Sequence, residues 1–367
     1  MDKTVRRNIV VSAVNLRKGG TLTVLRECLQ YLSTREDLHV TALVHKRSLC
    51  DYPGIDYIEI PWSIESWIKR LKCEYFTMWR ISKTLPATEL WLSLHDTTPR
   101  VKARRQAVYC HAVFPFMKSR LRDWRMDYKI ALFTIFTRFV YRFRVKRNNY
   151  LIVQQTWMRK ELSKITSFDC ERIILAPPSF RPLPVPVTAP SPVPVFLFPA
   201  TADVHKDFET LCEAARVLES RIGEGRFRLV LTIAGDENRY ARWLKSCWGG
   251  VSSIEFRGLL DRDRLALAYG EASCLVFPSR AETWGLPISE FVPCGKPMIL
   301  SDLPYAHETA AGASQVAFFP LGNVEALAGL MEAAINGNTD GFQTVGKPLF
   351  DEPFAEDWAK LFDILLA

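Results

Sequence analysis

Twelve short apolar runs recur along the chain, with amphipathic segments between them. In the first half they are NIVVSAV, HVTALVH, IDYIEI, LWLSL, QAVYCHAV and YLIVQQ; in the second, PVFLFPA, FRLVLTIAG, IEFRG, CLVFPS, PMILSD and QVAFFP. Helix-like segments are expected at 21–33, 69–84, 207–221, 262–272, 287–294 and 323–336. Strands rich in β-branched and apolar residues that alternate with helices imply βαβ units and buried parallel sheets. The expected fold class is α/β, with two Rossmann-like, doubly wound domains in tandem. Such a pair would leave a cleft between the C-terminal edges of both sheets, the edge at which open α/β sheets bind ligands.

The break between the halves is PPSFRPLPVPVTAPSPVP, residues 177–194, with eight prolines. Proline fixes φ and donates no backbone hydrogen bond, so this stretch continues neither a helix nor a central strand. The expected division is therefore 1–176, a linker at 177–194, a second domain at 195–350, and a C-terminal helix within 351–367 that crosses back to the first domain. A length of 367 residues also suits two domains better than one core. The N-terminal NIVVSAV follows basic residues but runs at once into Arg17-Lys18, which favours a first strand over a signal peptide. No run approaches the roughly 18 apolar residues of a membrane span. The nine cysteines form no C-x-x-C pair and read as reduced core residues of a cytosolic protein.

Charge is distributed unevenly. Residues 1–180 carry 32 Lys/Arg against 16 Asp/Glu, whereas residues 181–367 carry 16 against 24, so that +16 faces −8. A basic half joined to an acidic one points to an anionic partner for the first. Residues 100–147 are dense in arginine and aromatics, and IALFTIFTRFVYRFRVKR has apolar residues around most of its circumference. This pattern favours a partly buried helix with a basic rim, with contact to an anionic membrane surface as the alternative. No helix-turn-helix or aromatic-rich sheet motif points to nucleic acid.

The stretch SRAETWGLPISE, residues 279–290, places Glu282 and Glu290 on either side of a glycine and a proline. Pro287 suits a helix start, where its missing N–H is not needed. Gly285 permits close backbone approach, and free amides at a helix start favour an anion. Glu290 lies four positions after Leu286, so it returns toward the same ligand. Carboxylates accept paired hydrogen bonds from vicinal hydroxyls. Two of them around a phosphate cradle suit a diphosphate with a diol at each end.

The segment ETWGLPISE, followed by CGKP and SDLPYAHE, resembles the signature of retaining glycosyltransferases with the GT-B fold, the family-4 or group 1 enzymes of polysaccharide biosynthesis. By that resemblance Glu282 contacts the hydroxyls of the donor sugar, Glu290 the ribose, and the Trp284-Gly285-Leu286 backbone the distal phosphate. FPATADVHKDFETLCEA is similar to the family's diphosphate-binding turn, with Lys206 in the place of its lysine. Thr201 stands where the family carries arginine, so less charge is offset there, and His205 is the candidate replacement. The resemblance also implies that Gly235, in TIAGDENRY, lies near the nucleotide, and that Arg257, Gly258 and Leu260 line the base pocket. Asp261-Arg262-Asp263 is expected to cap a helix rather than bind metal. In the first half, Gly19 and Gly20 would lie beneath the donor phosphate and beside the acceptor. His111 occupies the position of the family's sugar-contacting histidine, with Ala112 in place of the usual acidic neighbour, and His95 competes for that role.

The resemblance thus implies a nucleoside-diphosphate sugar as donor, no cofactor and no metal. The acceptor would be a saccharide, lipid-diphosphate-linked, for a cytoplasmic enzyme held peripherally at the inner face of the membrane. Two alternatives stay open: an epimerase of sugar nucleotides with the same fold, and a non-catalytic partner subunit, which the missing arginine at position 201 supports.

Overall fold

The computed structural model describes residues 6–117, 120–178, 183–186 and 191–367. The linker assigned to 177–194 therefore lies partly outside the described residues, at 179–182 and 187–190. The chain divides into two compact units. One comprises Met1–Met117, Phe133–Ser179 and Phe350–Ala367; the other comprises Lys118–Leu132 and Phe180–Leu349. Lys118–Leu132 thus belongs with the second unit, although it lies within the span 1–176 expected for the first.

The first unit holds a seven-stranded sheet: β1 (Arg7–Ala13), β2 (Leu38–Val44), β3 (Ile55–Glu59), β4 (Thr88–Ser93), β5 (Arg105–Tyr109), β6 (Tyr150–Val153) and β7 (Ile173–Leu175). All neighbours pair in parallel, in the order β3-β2-β1-β4-β5-β6-β7. In β1, Ile9, Val10 and Val11 are each at most 1 % exposed. Both faces of the strand are covered, which is why it reads as a continuous apolar run rather than an alternating one. β7 went unrecognised in the sequence because it is three residues long and abuts Pro177. The helix Trp67–Lys72 passes through a π turn, Cys73–Thr77, into the helix Met78–Thr84. The C-terminal helix Trp358–Leu366 packs Leu361, Phe362 and Leu365 onto the same core as β1 and the helix Gly19–Leu32.

The helix Tyr128–Arg142 corrects the expected burial of its phenylalanines. Thr134 and Thr137 face inward, whereas Phe136, Phe139 and the following Phe143 are 59 %, 63 % and 56 % exposed. The inward hydroxyl of Thr137 donates to the Phe133 carbonyl at 2.8 Å, and Tyr141 reaches Asp96 from the same face. The buried face is thus the one that carries Thr134, Thr137 and Tyr141, with Tyr141 both packed in the core and bonded to Asp96.

The second unit holds six parallel strands: β8 (Val195–Phe198), β9 (Arg228–Leu231), β10 (Ile254–Phe256), β11 (Cys274–Phe277), β12 (Met298–Ser301) and β13 (Val316–Phe319). Their order is β10-β9-β8-β11-β12-β13. Aromatic packing holds its centre, with the Phe198 ring 4.6 Å from Phe208 and 5.4 Å, edge-on, from Phe277. Such pairs add about 1 kcal/mol each beyond area burial. In each sheet the winding direction reverses once, between β1 and β4 and between β8 and β11. The loops leaving those strands are where this topology seats a ligand.

Candidate functional site

In the second unit the reversal brings two loops side by side. The loop after β8 ends in a 3-10 turn, Val204–Lys206, before the helix Phe208–Ile222. The loop after β11 carries Glu282. Lys206 Nζ donates to Glu282 Oε1 at 2.5 Å, with the side chains only 15 % and 11 % exposed. The ammonium also lies 5.8 Å from the centre of the Phe277 ring. Shielded from water, this pair is a strong local field, and each charge depends on the other for compensation.

Gly285 caps the helix Leu286–Phe291 at φ 90°, with Pro287 in its second position rather than its first. A Cβ at Gly285 would sit 3.4 Å from Ile288 Cδ1 and 3.8 Å from Glu282 Cγ, so a side chain here is strained and crowds the glutamate. The Trp284 indole donates to Ser289 Oγ at 2.9 Å, and its carbonyl accepts from Thr309, which pins the loop ahead of Leu286. Glu290 accepts from the Tyr269 hydroxyl at 2.8 Å. Burial raises its carboxyl above the usual range, against that hydrogen bond and the charge of Arg262. Glu282 is thus held on the β8 side and Glu290 by the helix Arg262–Glu271.

The remaining expected contacts of this unit divide. Thr201 is exposed and donates to Asp203 at 2.5 Å. His205 is buried, and burial, followed by the charges of Lys206 and Arg280, holds its imidazole well below the ordinary value. A neutral His205 does not replace the missing arginine's charge, which corrects that expectation. Gly235 adopts φ 91°, and the amides of Ala234, Gly235 and Asp236 all donate to the carboxylate of Glu237. The Arg257 guanidinium is engaged by Glu255 at 2.7 Å and Glu271 at 3.3 Å and Gly258 (φ 84°) is buried, so of the three it is the partly exposed Leu260 that remains open on this loop. Asp261 caps the next helix by accepting from the Arg264 amide at 2.8 Å. Among the described residues, no group of three His, Cys, Asp or Glu side chains could hold a metal ion.

In the first unit, Gly19 and Gly20 open the helix Gly19–Leu32 after β1, with Gly19 at φ 64° and both residues exposed. His95, after β4, is not available to a ligand, contrary to expectation. The Trp91 indole donates to Ser12 Oγ at 3.0 Å, Ser12 and His95 Nε2 are 2.9 Å apart, and His95 Nδ1 and Thr97 Oγ1 are 2.9 Å apart. Thr97 in turn donates to the fully buried Glu74 at 2.7 Å. Followed along the donors, this chain requires the proton of His95 on Nδ1 and consumes both ring nitrogens.

His111, just beyond β5, differs. It is 8 % exposed, its ring lies tilted 4.4 Å from that of Tyr109, and among the described residues neither ring nitrogen has a hydrogen-bond partner. Burial lowers its affinity for a proton, against the opposing charge of Asp96. A neutral imidazole offers one donor and one acceptor to a hydroxyl. Asp96 is the residue that sequence reasoning missed. At φ 69° it accepts from the amides of His111 and Ala112 and, at 2.8 Å, from the Tyr141 hydroxyl. The acidic neighbour absent at position 112 is therefore supplied from the adjacent strand end. The signal was the His95-Asp96 dipeptide, read through its histidine alone.

Also missed was the strap from Arg120 to Asp123. Arg280, in the Glu282 loop, donates to Asp123 at 2.7 Å and to the Val204 carbonyl at 2.9 Å, with both charged side chains at most 6 % exposed. Arg122 meets Glu209 at 3.2 Å, and Arg120 lies 3.7 Å from the buried Asp207. Burial first, and then the nearby Glu209, push the Asp207 carboxyl up to about 7.

Residues 193–336 match the family model described as glycosyl transferases group 1. No curated protein matches the chain by sequence. Among solved structures, WaaG, a glycosyltransferase involved in lipopolysaccharide biosynthesis, aligns with a TM-score of 0.66 at 16 % identity, over 89 % of this chain and 90 % of its own. A sucrose-phosphate synthase from Thermosynechococcus elongatus aligns at 0.63 and 18 % identity, over 93 % and 92 %. HepE of Anabaena, in complex with UDP-glucose, aligns at 0.64 and 12 % identity, over 91 % and 92 %. At such identities the likeness is one of fold, and the fold is the two-sheet GT-B architecture.

Proposed function

We propose that this chain, which has the GT-B fold and matches the group 1 glycosyltransferase model over residues 193–336, is a glycosyltransferase that transfers a sugar, with retention of anomeric configuration, from a nucleoside-diphosphate sugar to a lipid-linked saccharide in cell-surface polysaccharide biosynthesis. The observation that carries this reading is the shielded Lys206–Glu282 pair at the β8/β11 reversal, the place where a doubly wound sheet binds its ligand.

As the bond to the anomeric carbon breaks, negative charge grows on the leaving diphosphate. Lys206 stabilises that charge, in a setting where little water competes. Glu282, freed from part of its pairing with Lys206, accepts hydrogen bonds from the donor sugar's hydroxyls. Glu290 accepts from the ribose diol, beside the loop at Gly258 and Leu260. Gly285 keeps the space around Glu282 clear. His111 and the Gly19-Gly20 turn serve the first unit's side of the reaction, the imidazole as a neutral hydrogen-bonding group. No side chain is assigned as nucleophile; the acceptor attacks on the face that the diphosphate leaves, and the leaving phosphate takes its proton. With Lys206 as the counter-charge, turnover is expected to survive removal of divalent cations by EDTA.

The complex of HepE with UDP-glucose supports a nucleotide-sugar donor by analogy of fold. Support for a lipid-linked acceptor comes from the exposed row of Trp67, Ile68, Phe76, Phe136 and Phe139 on the first unit, within its basic half. That row is the proposed peripheral contact with a membrane, since no helix among the described residues is long and apolar enough to cross one.

The test is transfer from UDP-, GDP- and ADP-sugars to lipid-diphosphate acceptors, followed by proton NMR of the new linkage. The anomeric configuration of the donor is expected in the product. An inverted linkage contradicts retention, and an epimerised donor formed without acceptor contradicts transfer.

A further inference from the structure

One cavity belongs to the first unit alone and shares with the reading above only Phe76 of the proposed membrane contact. It has a volume of about 810 Å³ and is lined from the segment 100–106 by all but Arg105, by Tyr75, Phe76 and Trp79 of the π turn and the helix after it, and from the segment 143–149 by Phe143, Arg144, Arg147 and Asn149. Residues 100–106 lead into β5 and residues 143–149 lead into β6, so the cavity opens at the N-terminal ends of these strands. His111 follows the C-terminal end of β5. The cavity and the candidate site of this unit therefore lie at opposite edges of one sheet.

Five cationic side chains line the cavity: Arg100, Lys102, Arg104, Arg144 and Arg147. Arg104 meets Glu89 at 3.2 Å. Among the described residues, no carboxylate pairs with the other four. Glu74, behind Tyr75, is already engaged by Arg70 and Thr97. Arg144 holds a left-handed backbone, at φ 61°, and its Nε is buried without a hydrogen-bond partner. Burial first, and then the like charges of Arg147 and Arg100, lower its affinity for its proton. Four neighbouring cations with no internal anion repel one another, and a bound anion relieves that repulsion. The walls add a second requirement. Tyr75 and Phe143 meet edge-on at 5.4 Å, and Arg100 lies 4.6 Å from the centre of the Trp79 ring, so flat apolar surface stands beside the charge.

We propose that this cavity is a binding site, separate from the donor site, for a phosphate or diphosphate ester whose organic part lies on Tyr75, Phe143 and Trp79. Arginine forks match phosphate oxygens, and several of them around one group make a strong site. Such a ligand is either a lipid headgroup or a soluble organic phosphate.

The experiment uses the full chain carrying Lys206→Ala, which silences the donor site's cation, and compares it with the same chain carrying Arg100→Glu and Arg147→Glu. Both reversed residues are exposed; Lys102→Glu serves as a second reversal, and thermal melts check that each variant folds. Pyrophosphate is titrated by calorimetry, and vesicles of phosphatidylglycerol or phosphatidylcholine are tested by flotation. Loss of pyrophosphate affinity by tenfold or more on reversal supports the site. Loss of phosphatidylglycerol binding as well identifies a lipid headgroup, and loss of pyrophosphate binding alone identifies a soluble phosphate. Binding of both probes that survives reversal in folded variants, or no binding of either probe before reversal, overturns the proposal. Donor turnover of the chain with Lys206 intact is measured in parallel, so that failure here is distinct from failure of the transferase reading.

Discussion

Among the described residues Glu282 has one partner of opposite charge, Lys206, and that economy shapes what substitution does. Glu282→Gln keeps the shape and removes the charge. A loss in kcat of about 10²- to 10³-fold is expected, the scale of one preorganised electrostatic contact, with a modest loss of stability as Lys206, still 15 % exposed, loses its counter-charge; steady-state kinetics beside a thermal melt check both. Asp96 is the opposite case. It accepts from two amides and the Tyr141 hydroxyl, so Asp96→Ala strands three donors at about 1–3 kcal/mol each before relaxation. It is expected to lower the urea midpoint clearly and to weaken turnover through a misplaced His111. At this scale the sequence was legible where a position rests on local order: Lys206 lies in the loop after β8, and Glu282 and Gly285 in the loop after β11. It was illegible where a role depends on which neighbour arrives. His95 and His111 look alike as strand-end histidines, and only the packing reveals that Ser12 and Thr97 consume the one and leave the other open.

Among the elements, the strap Arg120–Asp123 carries the largest unread contribution. Asp123→Ala leaves the Arg280 guanidinium buried without its carboxylate, a change that costs about 3–5 kcal/mol. Equilibrium urea denaturation is expected to show that loss, and Arg280→Met with Asp123→Leu to recover much of it, since an apolar pair of similar volume has no charge to desolvate. The strands themselves were readable because parallel strands covered on both faces appear as unbroken apolar runs; each of the twelve expected runs overlaps one of the observed strands. The helix Tyr128–Arg142 misled for a related reason. Apolar residues surround it, so periodicity alone does not say which face turns in; the face that does carries Tyr141, whose partner Asp96 lies far away in the sequence.

For the whole molecule, the buried titratable groups set the response to acid. His95, His111 and His205 all have lowered proton affinity when folded, chiefly through burial. Their contribution to stability is complete above the unfolded histidine value of about 6.5 and declines as pH falls below it, because the unfolded chain then takes up protons that the folded one refuses. Asp207, pushed up to about 7, and Glu290, also raised, act in the opposite sense and are relieved by protonation. Three uptakes against at most two leave about one net proton, worth about 1.4 kcal/mol per pH unit. The urea midpoint is expected to be lower at pH 5.5 than at pH 7.5; an unchanged or higher midpoint means that the histidines titrate freely. The claim on which everything else rests is that Lys206 holds the diphosphate of a nucleotide sugar. Calorimetric titration of UDP, GDP and ADP into the wild-type chain and Lys206→Ala tests it directly. The account predicts that at least one nucleotide binds and that the substitution weakens it tenfold or more, about 1.4 kcal/mol. Equal affinity in the two proteins, or no binding by any of the three, contradicts it.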